Sequence, residues 1–341
     1  MRTATASRIL GALCALAAHA ALAQPEHGDL LRAPERIEWD AGALYDGRFS
    51  DGAPFRIALP YPEPEGLPSA ARGVMTGAYW SLRRFTGQAL PLDAQQGAAG
   101  TQVLTVSSDS GAAAPERVEI AFGKDKRDGK GSWTSESGQQ RTFTLRRSVP
   151  YRALALVRPG PQAQDGGERR PFVFTALFPQ LGEGAPGEWV RAMAGRCQAD
   201  LECHNRITVR WRSDEQLSLE ASSWTYSDGA AHGNYRSAMR HYATADGEAV
   251  HTRFTNFVEA GAACRAKVSA ALVAKLGAQG LSWPEEGALK LLQEPKFIPT
   301  PAGIEFHWDP YEVGSYVQGA PSVFLDRAEL GDCAGNLPRG E

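Results

Sequence analysis

Between residues 37 and 147 the apolar positions come in short runs broken by Gly and Asp, as in ALYDGRF from Ala43, PFRIAL from Pro54, GVMTGAYWSL from Gly73, QVLTVSS from Gln102, RVEIAFG from Arg117, GSWTS from Gly131 and RTFTLRR from Arg141. Runs this short, joined by turn residues, predict an antiparallel sheet or small barrel, an all-β module over residues 35–148. Two further strand-like runs, 151–157 and 172–178, flank RPGPQAQDGGERR at 158–170. That segment reads either as a linker or as the long loop of a hairpin, and the pairing of its flanks favours the hairpin. The apolar period then changes. Trp189, Val190 and Met193 share one face of a helix over 186–197, strands follow at 206–212, 216–226 and 235–244, and Val268, Leu272, Val273 and Leu276 recur at helical spacing over 262–276. Ser282 with Glu285 and Pro284 has the form of a capping box opening another helix. Near the C-terminus Ile304, Phe306 and Trp308 alternate with Glu305 and His307, the period of a half-buried strand. Asp309-Pro310 stops it, a loop rich in tyrosine follows, and 323–325 rebuilds a strand.

Strands interrupted by clustered helices predict an α+β chain: the small antiparallel module, then a mainly antiparallel sheet with helices packed on one face over 149–341. Each half has enough apolar strand to form a core, so a boundary near residues 148–151 is expected. The aromatic residues of the module read as core packing rather than as a ligand platform. The order Tyr45-Asp46-Gly47, Gly77-Ala78-Tyr79-Trp80, Gly131-Ser132-Trp133 and Phe143-Thr144-Leu145 resembles a small β module that accompanies many bacterial envelope proteins.

The first residues add a compartment. Arg2 and Arg8 precede an alanine-rich apolar run over 9–22, and Ala21-Leu22-Ala23 stands ahead of Gln24. This is the form of a secretory signal peptide, residues 1–23, cleaved after Ala23, and it is too short for a membrane span. A lipoprotein reading would use Cys14, where the bulky Leu13 is unfavourable. No later segment is long and apolar enough for a membrane span, so the mature chain is expected in the periplasm or secreted. The net charge of -3 and the lack of a basic cluster argue against nucleic-acid binding. Cys197, Cys203, Cys264 and Cys333 remain after cleavage, an even number in an oxidising compartment, and two disulfides follow. Cys197 with Cys203 and Cys264 with Cys333 is the preferred connectivity.

The segment TYSDGAAHGNYRSAMRHYATADGEAVHTRFTNFV from Thr225 and the run IEFHWDPYEVGSYVQGAPSVFLDRAEL from Ile304 together resemble the RsiV-type family of lysozyme-sensing extracytoplasmic domains, over the C-terminal half. The same domain type occurs attached to some polysaccharide deacetylases. Ala230 stands where the family's Gly-Gly-Ala-His stretch has a glycine. The resemblance implies an extracellular recognition surface made of the two loops, and binding residues His232, Asn234, Tyr235, Asp309, Pro310, Tyr311, Glu312 and Tyr316. The family's membrane-spanning and sigma-binding parts have no counterpart here.

Chemistry is thinly supported by the residues themselves. His232 at the tip of a glycine-rich turn has no nucleophile or orienting carboxylate at a readable spacing, so a backbone-bonding role is expected. Asp309 and Glu312 invite a glycosidase reading, but two acids in one loop do not flank a bond, and acceptance of backbone hydrogen bonds is the simpler role. His241 and His251 flank a hairpin with an Asp246-Gly247 turn and could face each other across it, too few ligands for a metal site. Cys203-His204 lacks the cysteine spacing of a zinc site. No serine elbow or phosphate loop is present. No catalytic residue, metal or cofactor is therefore assigned. The favoured reading is a non-enzymatic binding protein whose partner is a protein, lysozyme-like, or an envelope glycan, Tyr311 being buried and Tyr316 exposed. The alternatives are an enzyme or accessory protein acting on peptidoglycan or envelope polysaccharide, and an immunity protein with a dedicated partner.

Overall fold

The computed structural model describes residues 35–67, 71–81, 90–96, 101–106, 116–135, 137–159, 171–197, 201–245, 248–281, 292 and 295–339. The expected signal peptide at 1–23, the segment expected as a hairpin loop at 160–170, the expected Asp246-Gly247 turn and the expected capping box at Ser282 lie outside the described residues. The chain is α+β, and its described residues form two sheets. Strands β1 (Glu35–Phe49), β2 (Pro54–Pro60), β3 (Gly77–Ser81), β4 (Leu90–Gln96), β5 (Thr101–Val106), β6 (Glu116–Phe122), β7 (Asp128–Thr134) and β8 (Gln140–Pro159) pair each with the next, and β1 also pairs with β8, closing a ring. The sheet continues through β9 (Pro171–Pro179), β10 (Glu202–Arg212), β11 (Gln216–Tyr226), β12 (Asn234–Ala245) and β13 (Glu248–Thr252). β9 and β10 run parallel, with helix α1 (Ala185–Ala194) between them in sequence; the other pairs are antiparallel. Helix α2 (Ala262–Ala278) precedes a three-stranded sheet of β14 (Lys296–Thr300), β15 (Gly303–His307) and β16 (Ser322–Asp326), which ends in the short helix α3 (Arg327–Leu330). None of the described helices is long and apolar enough to cross a membrane.

Strand β8 is 20 residues long and runs unbroken through positions 148–151. Its first part pairs with β7, its last part with β9, and β1 lies along nearly all of it, from Glu35 opposite Val157 to Phe49 opposite Phe143. Alternation along β1 therefore serves two cores. Ala43 and Tyr45 point into the ring with Phe55, Ile57, Val118 and Phe143, while Leu44 joins Trp39, Tyr151, Phe174, Ile207 and Val209 outside it. A third core, around Leu272, Phe297, Phe306 and Trp308, belongs to α2 and the small sheet. Cys264 and Cys333 tie α2 to the C-terminal end, Cα–Cα 5.3 Å, and Cys197 and Cys203 join the end of α1 to β10, Cα–Cα 6.0 Å.

Strand β15 departs from the half-buried expectation. Glu305 is buried as fully as its apolar neighbours, because its face of the strand meets the large sheet instead of water. His241 and His251 do not face each other either. His241 is opposite Thr252, and His251 is opposite Tyr242, a one-position offset that puts the two imidazoles on opposite faces. His241 is buried against Phe297 and Phe257, with Nδ1 3.0 Å from the Ser218 hydroxyl.

Because Trp39 and Leu44 share a core with Phe174 and Ile207, a chain beginning at Val149 should lose both a strand partner and part of its core. We expect it to aggregate when expressed; a soluble product with a cooperative thermal transition would show that the C-terminal half folds alone.

Burial, with the charges of His251 and Arg240, lowers the His241 pKa from 6.5 to about 3. The unfolded chain takes up a proton near pH 6.5 that the folded chain accepts only near pH 3, so this contribution to stability is complete above pH 6.5 and is lost as pH falls toward 3. By pH 5 the loss should be about 2 kcal/mol. Urea denaturation at pH 7.5 and pH 5 should show His241→Leu losing less stability over that interval than the unaltered chain, by roughly this amount.

Candidate functional site

The two loops singled out in the sequence meet in space. The turn before β12 carries His232, and the loop after β15 carries residues 309–316. The His232 ring stacks on Tyr316, centroids 3.9 Å apart, and its Nε2 lies 3.0 Å from the Tyr311 hydroxyl. Its Nδ1 is 2.8 Å from the Gly233 carbonyl, which only accepts. Nδ1 therefore donates to that carbonyl, and the tautomer this sets leaves Nε2 to accept from the Tyr311 hydroxyl. The Tyr316 hydroxyl donates to the same Gly233 carbonyl at 2.8 Å. Gly233 has no room for a side chain, since a Cβ there would lie 2.3 Å from the Trp224 ring. Ala230, by contrast, fits where the family pattern has glycine, because the positive φ of this turn falls on Gly229, at 76°.

Below the rings an ionic layer fixes the second loop. Asp309 Oδ1 accepts from the Ser237 backbone N–H at 2.9 Å and from its hydroxyl at 2.6 Å, and Oδ2 is 2.6 Å from Lys296 Nζ. Glu312 contacts the same ammonium through both oxygens at 2.9 Å and accepts from the Asp309 N–H at 2.7 Å. Val313 and Trp308 are buried in the small sheet's core on either side. Held at both ends, the loop reverses over Tyr311, whose φ is 72°. A positive φ on a bulky non-glycine residue persists only where the surroundings over-determine it, as these contacts do.

The exposures of the tyrosines are the reverse of the sequence expectation. Tyr311 is 63% exposed, whereas Tyr316 is half-buried under His232. The positive φ turns Tyr311 outward, and the stacking ring draws Tyr316 in. Val317 beside them is 92% exposed. Pro310 is half-buried; Asn234 is exposed, and its carbonyl accepts from Thr225 at 3.5 Å. Tyr235 is half-buried opposite Trp224 and faces a cleft away from the ring cluster. Burial, with Glu220 and Asp309 nearby, raises its pKa to about 12. Among the described residues no group of three or more His, Cys, Asp or Glu is placed to hold a metal ion.

Sequence reading missed Ser237 and Lys296, which are ordinary positions until β11–β12 and β14–β15 pairing sets them beside Asp309. It also missed the charge that orients the small sheet. Arg210 on β10 reaches Glu220 on β11 and, at 2.9 Å, Glu305 on β15, whose other oxygen is 3.3 Å from His307 Nε2. Burial alone would raise the Glu305 pKa, but the His307 hydrogen bond and the Arg210 charge hold it below the usual carboxylate value. Arg210→Met should strand two carboxylates, one of them fully buried, and cost about 3–5 kcal/mol in urea denaturation, with much of the loss recovered when Glu305→Leu is added. A loss of under about 1 kcal/mol would mean that apolar packing alone seats the small sheet.

A comparison with curated proteins returns no match. Among solved structures, a DUF3298-family protein from Bacteroides fragilis NCTC 9343 aligns at 12% identity and a TM-score of 0.38, covering 56% of this chain and 95% of that one. One from Pseudomonas aeruginosa PAO1 aligns at 16% identity and a TM-score of 0.38, covering 55% of this chain and 95% of that one. Residues 255–328, which include α2, the small sheet and the Tyr311 loop but not the His232 turn, match the family model described as "Protein of unknown function (DUF3298)".

Proposed function

We propose that the chain is an exported, non-enzymatic binding protein of the cell envelope, and that the joined loops capture a protein ligand of the lysozyme type. The observation that carries this reading is Tyr311, a large aromatic side chain 63% exposed on a backbone that the surrounding contacts hold rigid. A pre-set aromatic anchor loses little conformational freedom on binding, which is why tyrosine is enriched at binding hot spots. Exposed Val317 extends the apolar area beside it. The residues that would serve acid–base chemistry are occupied in positioning: His232 bonds the Gly233 carbonyl and the Tyr311 hydroxyl, and Asp309 and Glu312 share Lys296. The likeness of these loops to the lysozyme-sensing family supplies the ligand class.

Immobilised mature chain should retain c-type lysozyme with a Kd of about 10 μM or tighter. Tyr311→Ala should weaken capture by roughly 30-fold, the size of a hot-spot truncation, with little change in melting temperature. Tyr316→Ala should lower both, because its ring supports His232. No retention of lysozyme at about 10 μM, or equal retention by Tyr311→Ala, overturns this reading.

A further inference from the structure

A second concave surface lies on the other side of Trp224. Even-numbered residues of β10 and β11 and odd-numbered residues of β12 share one face of the large sheet, as the pairs Arg206 with Ser222, Thr208 with Glu220 and Trp224 with Tyr235 show. This face is polar, whereas the alternate positions, Cys203, Ile207, Val209 and Leu219, fill the core beneath. The segment 72–76, leading into β3, stands over the face, and between them is an open cleft of about 780 Å³. That volume is within the range of small-molecule sites.

The cleft is positively charged in a chain of net charge -3. Its lining holds Arg72, Arg206 and Arg210 against one carboxylate, Glu220. Arg210 is neutralised by Glu220 and Glu305. The other two guanidiniums are directed to backbone: Arg206 donates to the Val74 carbonyl at 3.1 Å and Arg72 to the Leu67 carbonyl at 3.2 Å. No carboxylate among the described residues lies within ion-pair distance of either, and each retains further N–H groups for an anion. Beside them the Trp224 and His204 rings stack at 5.4 Å and 26°, half-buried in the cleft floor, and Thr208, Ser222 and Tyr235 place hydroxyls on the same floor. Indole and imidazole faces accept the apolar face of a pyranose, hydroxyls exchange hydrogen bonds with sugar hydroxyls, and a guanidinium fork matches a carboxylate.

We infer that this cleft binds a carboxylated oligosaccharide, with Arg206 and Arg72 holding the acid group and Trp224 the ring. The site is separate from the Tyr311 loop and does not depend on lysozyme capture.

Isothermal titration of the purified chain with three probes tests it: an oligogalacturonate, a cello-oligosaccharide of equal length, and inorganic phosphate. The acidic sugar should bind about tenfold or more tightly than either of the others, and added salt should weaken it. Arg206→Gln should weaken the acidic sugar by about tenfold with unchanged melting temperature and unchanged lysozyme capture; Arg72→Gln serves the same purpose if Arg206→Gln does not fold. Equal affinity for the neutral sugar, phosphate binding as tight as the acidic sugar, no heat with any probe at about 5 mM, or indifference to the arginine substitution in folded protein would each overturn the assignment.

Discussion

The contact on which the rest of the site depends is the half-buried guanidinium of Arg210 between Glu220 and Glu305. It joins a strand of the large sheet to a strand of the small one by charge, beside the packing of His241 on Phe297, and Glu305 is buried from solvent. Removing charges from water is costly, and the cost is offset only when the partners keep their geometry. That condition sets the position of β15, and the consequences run along the chain. Four residues beyond Glu305, Asp309 comes beside Ser237; Lys296, opposite His307 on β14, comes beside Asp309 and Glu312; and Tyr311 comes over His232. Apolar packing of Phe306 and Trp308 attaches the small sheet to α2, but packing is non-directional, and the ion pair is what specifies which face of β15 meets the large sheet.

Much of the architecture was legible because it is written in local period. The strands at 216–226 and 235–244, the helix beginning at Ala262 and the α+β class follow from alternation and helical spacing that burial on one face requires. Helix α1 and β3 came out shorter than expected, since 73–76 leave the sheet to stand over the cleft. Both cysteine pairs are also as expected. What was not legible depends on pairing between distant segments. Glu305 looks solvent-facing in its own strand, and only Arg210, 95 positions away, makes it a core residue. The tyrosine exposures inverted because φ at Tyr311 is imposed by Lys296 and His232, neither of them in its loop. The His241–His251 offset is a register property, fixed by the pairing of β12 with β13 rather than by the composition of either. Of the binding candidates, His232, Tyr311 and Tyr316 meet, Asp309 and Glu312 anchor their loop and Tyr235 turns to the cleft, yet their neighbour Lys296 carried no signal of its own.

The two concave or exposed surfaces share one structural member. Trp224 lies in the floor of the cleft, and Gly233, whose carbonyl receives both His232 and Tyr316, is packed directly on its ring. At a separation that excludes even a methyl group, neither can move without the other moving. Interiors packed this closely respond to displacement as units instead of yielding gradually. A ligand that shifted the indole would therefore act on the carbonyl that orients His232, and through Nε2 on the hydroxyl of Tyr311. The path is four groups long, each link being a contact rather than an inferred correlation. A differential affinity of a ligand for two positions of Trp224 is the only source from which such coupling could draw its free energy, and by linkage an occupant of the Tyr311 loop would change affinity in the cleft by the same factor.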